Sequence, residues 1–161
     1  MKQTLHVTAR GEREIVMTRV FDAPRTLVWD AFTTPELLKR WLLGPPGWSM
    51  PVCETSQKVG GSYRYVWQGP DGIQMAAGGV IREFTPPERL VGTEKFDDPW
   101  YPGEAVVTVV LTEQNGQTTL TQTLQYESRE ARDLVLKSPM EHGVAVSYDR
   151  LEEILTTNAV H

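Results

Sequence analysis

The residues able to carry chemistry in this chain are few and scattered. The histidines are His6, His142 and His161, and none falls at a metal-ligand spacing from another histidine, a cysteine or an acidic cluster. Cys53 is the single cysteine; Glu54 beside it supplies no base to form a thiolate, so it reads as a small core residue. No Ser-His-Asp set or paired carboxylates can be assembled. Gly60-Gly61 and Gly78-Gly79 lie within strand patterns, not ahead of a helix, so neither is a phosphate loop. Arg19 and Arg64 lie in strands among apolar neighbours, with Glu83 and Glu94 in strands nearby. A pocket-facing arginine could hold a carboxylate in bidentate fashion, but a cross-strand ion pair on the outer face is the plainer reading. No catalytic residue, metal ligand or cofactor is assigned.

What the chain concentrates instead is aromatic surface: Trp41, Trp48, Tyr63, Tyr65, Trp67, Trp100 and Tyr101. Tyr63, Tyr65 and Trp67 alternate with Arg64, Val66 and Gln68, which puts the three rings on one face of a strand. Such rings either fill a core or wall a pocket, since each offers a flat apolar face and tyrosine and tryptophan add a polar handle. The candidate ligand-binding set is Trp41, Trp48, Tyr63, Tyr65, Trp67, Met75, Trp100, Met140 and Val144.

The element that must position this set is the stretch from Ser138 to Leu155. Ser138 is placed to cap a helix, Pro139 suits its first position, and Glu141 completes a capping box. Met140, Gly143, Val144, Ser147, Leu151, Ile154 and Leu155 recur at helical spacing; Glu141, His142, Asp149, Glu152 and Glu153 fall off that stripe. The helix is about 27 Å long, enough to cross a small domain. Gly143 and Ser147 are small, so they either admit a partner backbone or leave room beneath the helix.

Most of the preceding chain reads as β-sheet. A strand is expected from about Glu14 to Phe21, after an earlier frayed segment; Ile15 and Met17 alternate, with Val16, Val20 and Phe21 out of phase. Pro24 begins a helix burying Leu27, Val28, Ala31 and Phe32, with Trp29 at its margin, and a second runs from Thr34-Pro35 until Gly44-Pro45-Pro46-Gly47 stops it. Strands follow at 49–56, 62–68, 73–84, 89–96, 104–112 and 117–126. Pro70-Asp71-Gly72 and Asn115-Gly116 are turn signals, and Gly78-Gly79 suggests a bulge or bend. Ser128 caps a short helix through about Lys137. Runs of strands with segregated helices make the fold class α+β, with a curved antiparallel sheet around the long helix.

Composition sets the limits. The chain has 161 residues, enough for one domain (1–161, core about 14–157), with 40% hydrophobic and 23% charged residues. A formal net charge of -5 and no basic run argue against nucleic acid and anionic membrane as partners. With no long apolar span and no signal-like start, a cytoplasmic location is expected.

Three blocks together resemble a known family. RVFDAPRTLVWDAFTTPELLKRW (Arg19 to Trp41), GGSYRYVWQGPDG (Gly60 to Gly72) and SPMEHGVAVSYDRLEEIL (Ser138 to Leu155) resemble bacterial homologues of the activator of the heat-shock-protein-90 ATPase, akin to its C-terminal domain. That family belongs to the START-like, or SRPBCC, superfamily. The resemblance implies a helix-grip fold, as in the birch-pollen allergen. It also implies an apolar or aromatic small molecule bound under the long helix. The chain departs at Trp41-Leu42-Leu43-Gly44-Pro45, where many relatives have two adjacent tryptophans, and it has no room for the separate chaperone-contacting domain of the eukaryotic activator. Rival readings are a cyclase- or hydrolase-like enzyme, which would need a perturbed titratable group in the cavity, and a chaperone-interacting module, which would need an exposed apolar patch at Pro45–Trp48 or Pro99–Tyr101. An exposed sheet edge or these loops would also allow a homodimer.

Overall fold

Eight strands form one antiparallel sheet in the computed structural model, which describes residues 4–158. The chain runs β1 (His6–Arg10), β2 (Glu14–Phe21), α1 (Arg25–Thr33), α2 (Pro35–Trp41), β3 (Ser49–Thr55), β4 (Ser62–Gln68), β5 (Gln74–Thr85), β6 (Arg89–Phe96), β7 (Ala105–Gln114), β8 (Gln117–Gln125), α3 (Arg129–Lys137) and α4 (Met140–Asn158). Across the sheet the order is β1-β2-β8-β7-β6-β5-β4-β3. Strands β3 to β8 form a meander, and β2 joins it beside β8. This is the helix-grip arrangement, with the curved sheet holding the long C-terminal helix and two short helices between β2 and β3. Among the described residues no helix is long and apolar enough to cross a membrane. His161 lies outside the described residues.

Turn chemistry fixes the hairpins. Asn115 and Gly116 have φ of 55° and 78°, the left-handed pair that matches the twist of β7 and β8. Asp71 and Gly72 do the same between β4 and β5, at 61° and 76°. Ser128 Oγ accepts from Ala131 N–H at 3.0 Å and starts α3.

Several local expectations are corrected. The frayed first segment is a full strand, with His6 to Arg10 paired against Thr18 to Glu14. Pro24 sits at the N-cap of α1, one residue before its first turn, and Trp29 is buried against Phe84 at 5.3 Å rather than marginal. Phe21 is in phase with Ile15 and Met17 on the inner face of β2. Ser138 Oγ accepts from Met140 N–H at 3.3 Å, two residues on, and α4 begins there instead of through a capping box at Glu141. The bulge of β5 falls between Ile81 and Glu83, not at Gly78-Gly79. It restores the facing: Ile81 and Phe84 both point to the concave side, three residues apart.

The glycine pair has a different role. A Cβ on Gly79 would lie 2.0 Å from the Thr93 carbonyl oxygen, and one on Gly78 would lie 2.7 Å from that of Tyr63. These positions admit neighbouring backbone that no side chain could allow. Across from them, the Thr93 side chain accepts from Val80 N–H at 2.9 Å and its carbonyl accepts the Tyr63 hydroxyl.

Two apolar clusters fill the grip. Leu151 and Leu155 of α4 pack with Phe21, Trp41, Leu111 and Leu120. Ile15, Met17, Leu124 and Tyr126 pack with Ala131 and Val135 of α3. The two halves of α4 therefore differ. Its second half is sunk in core, whereas Met140, Gly143 and Val144 are only half-buried.

Arg19 does not sit on the outer face as the sequence suggests. It is 1% exposed on the inner face of β2, where Nη1 donates to Asp149 Oδ1 at 2.7 Å and Nη2 lies 3.8 Å from Glu152 Oε1. Its guanidinium is 5.2 Å from the centre of the Phe21 ring. The cause is α4: it covers β2 and brings two acids, three residues apart, along the edge of its apolar stripe. A buried cation must be paired, since removing one partner leaves its charge uncompensated. Asp149→Ala is expected to lower stability by about 2 kcal/mol, less than for a fully buried pair because Glu152 remains and Asp149 is partly exposed. Urea unfolding of the two proteins checks it; equal midpoints would show that the pair contributes nothing.

Candidate functional site

Alternation along the strands, the β5 bulge and the small residues of α4 together leave a space of about 650 Å³ between sheet and helix. β4 contributes Tyr63, Tyr65 and Trp67; β5 contributes Met75, Ile81 and Phe84; β6 contributes Leu90, Gly92, Glu94 and Phe96. From above come Met140, Gly143, Val144, Ser147 and Tyr148 of α4. A Cβ on Gly143 would meet only Pro45 Cδ, at 3.9 Å, so this glycine leaves room rather than admitting a close backbone. The mouth is marked by lining residues that are also exposed: Pro45, Met75, Trp100, Pro139 and His142.

All nine residues singled out from the sequence line this cavity: Trp41, Trp48, Tyr63, Tyr65, Trp67, Met75, Trp100, Met140 and Val144. They do so in different ways. Trp41 is 1% exposed, donates its indole N–H to the Ala31 carbonyl at 3.0 Å, and packs with Phe32 and Tyr148 as a floor. Trp48 lies across Gly69, where a Cβ would come within 2.6 Å of its ring. Tyr63, Tyr65, Trp67, Phe96 and Tyr101 form a continuous aromatic wall with successive ring centres 5.0 to 6.5 Å apart. Trp100, 40% exposed, leans on Phe96 and Tyr101 at the rim. These tilted and edge-on contacts suit the ring quadrupoles and hold each face in place.

The loop after α2 is pinned to the lid. Ser147 Oγ accepts from Gly44 N–H at 2.8 Å, Arg150 donates to the Trp41 and Gly44 carbonyls, and Trp67 Nε1 donates to the Leu42 carbonyl at 2.8 Å. Helix, loop and aromatic wall are therefore one connected frame.

Polar groups inside are sparse. Among the described residues Glu94 is the one carboxylate in the lining, and burial pushes its acid up to about 7. Tyr63, Tyr65, Tyr101 and Tyr126 surround it: burial raises each hydroxyl above its usual range, and the Glu94 charge adds to this. The Tyr148 hydroxyl donates to Gln122 Oε1 across the space. The Tyr101 hydroxyl, on a side chain 4% exposed, has no hydrogen-bond partner among the described residues. No lysine or arginine lines the cavity among the described residues.

From the sequence, Glu94 reads only as a neighbour for an arginine. Its phase with Leu90 and Phe96 on β6 was the signal that it faces inward. Tyr148 lies one position from the Ser147 stripe and Tyr126 just past the end of β8, so periodicity marks neither as a lining residue. Arg64 does make the outer ion pair, with Asp97 Oδ1 at 2.6 Å and Oδ2 at 2.5 Å, both side chains exposed. Cys53 is buried, and burial pushes its thiol up to about 11, away from thiolate chemistry. Among the described residues no group of three or more His, Cys, Asp or Glu could hold a metal ion.

The sequence model of the family described as activator of Hsp90 ATPase homologue 1-like proteins matches residues 22–156. Among solved structures, a protein of Rhodobacter sphaeroides is 32% identical, with a TM-score of 0.90 over 95% of this chain and 98% of that one. A protein of Nitrosomonas europaea is 27% identical, with a TM-score of 0.83 over 95% of this chain and 100% of the other. A protein of Mycobacterium smegmatis is 25% identical, with a TM-score of 0.81 over 94% and 98%. No curated protein matches the chain.

Proposed function

Because the chain belongs to the activator of Hsp90 ATPase homologue 1-like family, within the START-like superfamily, we propose that it is a one-domain binding protein for an apolar or aromatic small molecule. The observation that carries this reading is the cavity of about 650 Å³ under α4, walled by aromatic rings and carrying few polar groups. The nine residues from Trp41 to Val144 named above would contact the ligand. A net charge of -5 fits a function without nucleic acid or an anionic membrane surface, and a cytoplasmic location accords with it. A chaperone partner or a homodimer would use the exposed rim at Pro45 and Trp100.

One observation favours a second reading, a cyclase- or hydrolase-like enzyme: Glu94 is an acid in an apolar cavity, poised near neutrality. Loss of turnover in Glu94→Gln with ligand affinity retained would mark that reading.

Native mass spectrometry of freshly purified protein, followed by thermal shift with aromatic compounds, tests the binding reading. A bound species or a raised Tm is expected, because a ligand selective for the folded state stabilises it by mass action. A protein without either, across a broad set of compounds, would contradict it. Gly143→Trp places an indole between Pro45 and the cavity and is expected to weaken binding by about a hundredfold, roughly the effect of losing one good aromatic contact area. Helical Gly143→Ala should instead retain binding and gain up to about 1 kcal/mol of stability. Equal ligand affinity in all three proteins, by fluorescence titration, would place the binding site elsewhere.

A further inference from the structure

The cavity has a polar pole. Glu94 is the one carboxylate in its lining, and no lysine or arginine there answers it among the described residues. The Arg64 and Arg19 cations are committed elsewhere, to Asp97 outside and to Asp149 and Glu152 under the far end of α4. The Tyr63 proton goes to the Thr93 carbonyl. The Tyr101 ring sits at the junction of Phe96, Trp100 and Tyr126, with centres 6.4, 5.3 and 5.2 Å away, and its hydroxyl is sealed behind the wall. Glu94 is thus a carboxylate in an apolar space with no cation beside it among the described residues, which makes it the point where a cationic group would pair.

Charge then narrows the ligand. An anionic group entering here would meet Glu94 and find no cation to hold it. A protonated amine would neutralise the carboxylate and present its charge to the faces of Tyr65, Trp67, Phe96 and Trp100. A ring system attached to it would occupy the apolar remainder.

We propose that the ligand is an apolar aromatic compound bearing one protonated amine, received by Glu94 within the aromatic wall of β4, β6 and the loop after β6. This deepens the binding reading and rests on it.

The test uses three probes on one ring system, 1-pyrenemethylamine, 1-pyrenemethanol and 1-pyrenecarboxylate, titrated by fluorescence at pH 8 into the full chain. The amine is expected to bind at least about tenfold tighter than the alcohol, and the carboxylate weakest of the three. Glu94→Gln, close to the same shape, should remove the preference for the amine while the alcohol still binds. If the alcohol binds but the amine gains nothing over it in the natural protein, this inference is overturned and the binding reading stands. If no probe binds to folded protein, both fall. The comparison of probes on the natural protein needs no variant, so a poorly folding substitution does not shield the proposal.

Discussion

Gly79→Val is expected to unfold much of the protein, costing more than about 4 kcal/mol out of the 5–15 that a domain of this kind possesses. The added Cβ alone would stand 2.0 Å from the Thr93 carbonyl oxygen and 2.7 Å from its carbon, so backbone must move. Thr93 cannot retreat cheaply. Its carbonyl accepts the Tyr63 hydroxyl, its side chain accepts from Val80 N–H, and the next residue is Glu94 of the cavity. The collision therefore reaches the aromatic wall as well as the sheet. Gly72→Val offers the contrast in kind: nothing lies within 4 Å of its Cβ site, and only its φ of 76° opposes the change. Urea denaturation followed by circular dichroism separates the two. A Gly79→Val protein within 1 kcal/mol of the natural one, as an order of magnitude, would mean that β5 and β6 are not apposed as described.

Glu94→Gln is expected to stabilise the protein at pH 8 by up to about 3 kcal/mol and to leave it unchanged at pH 4. The sign follows from the direction of the shift. Burial raises the folded acid to about 7 from the ordinary 4.5, so the folded state holds this proton more tightly than the unfolded chain. That stabilisation is complete below about pH 4.5, is lost as pH rises towards 7, and stays lost above it. Glutamine never ionises and keeps the shape, so the variant escapes the loss. The groups facing Glu94 are Tyr63 and Tyr65 of β4, Tyr101 of the following loop and Tyr126 beyond β8, and burial holds all four neutral across this range. Urea midpoints at pH 4 and pH 8 check it; a constant difference between the two proteins would show that Glu94 is solvated in the folded state.

These two residues also show what the sequence makes legible. Period-two alternation places Tyr63, Tyr65 and Trp67 on one face because the pleat leaves no choice. Asn115-Gly116 and Asp71-Gly72 mark their turns because few other residues take positive φ. The long helix and its small residues were legible by the same periodicity. The glycine pair was visible as an irregularity, but its meaning was not, because close approach of Thr93 depends on which strand becomes the neighbour. Arg19 was misplaced for a related reason: a charged residue is normally read outward, and only α4, more than a hundred residues on, supplies the acids that let it turn in. Glu94 was hidden by the same convention. The expectation that charges face water fails where a cavity exists, and a cavity is what remains after every element has been placed.

The central claim is that the space under α4 takes an apolar ligand, and methionine methyl groups report on it directly. Met17, Met75 and Met140 line the cavity, whereas Met50 is buried in the core outside it. In protein labelled with carbon-13 at the methionine methyls, a titration with 1-pyrenemethanol should shift the Met17, Met75 and Met140 resonances together and saturate, leaving Met50 in place. Saturation with Met17 and Met140 unmoved, or a shift confined to exposed Met75, would contradict the account, because the probe would then be held on the surface and not beneath the helix.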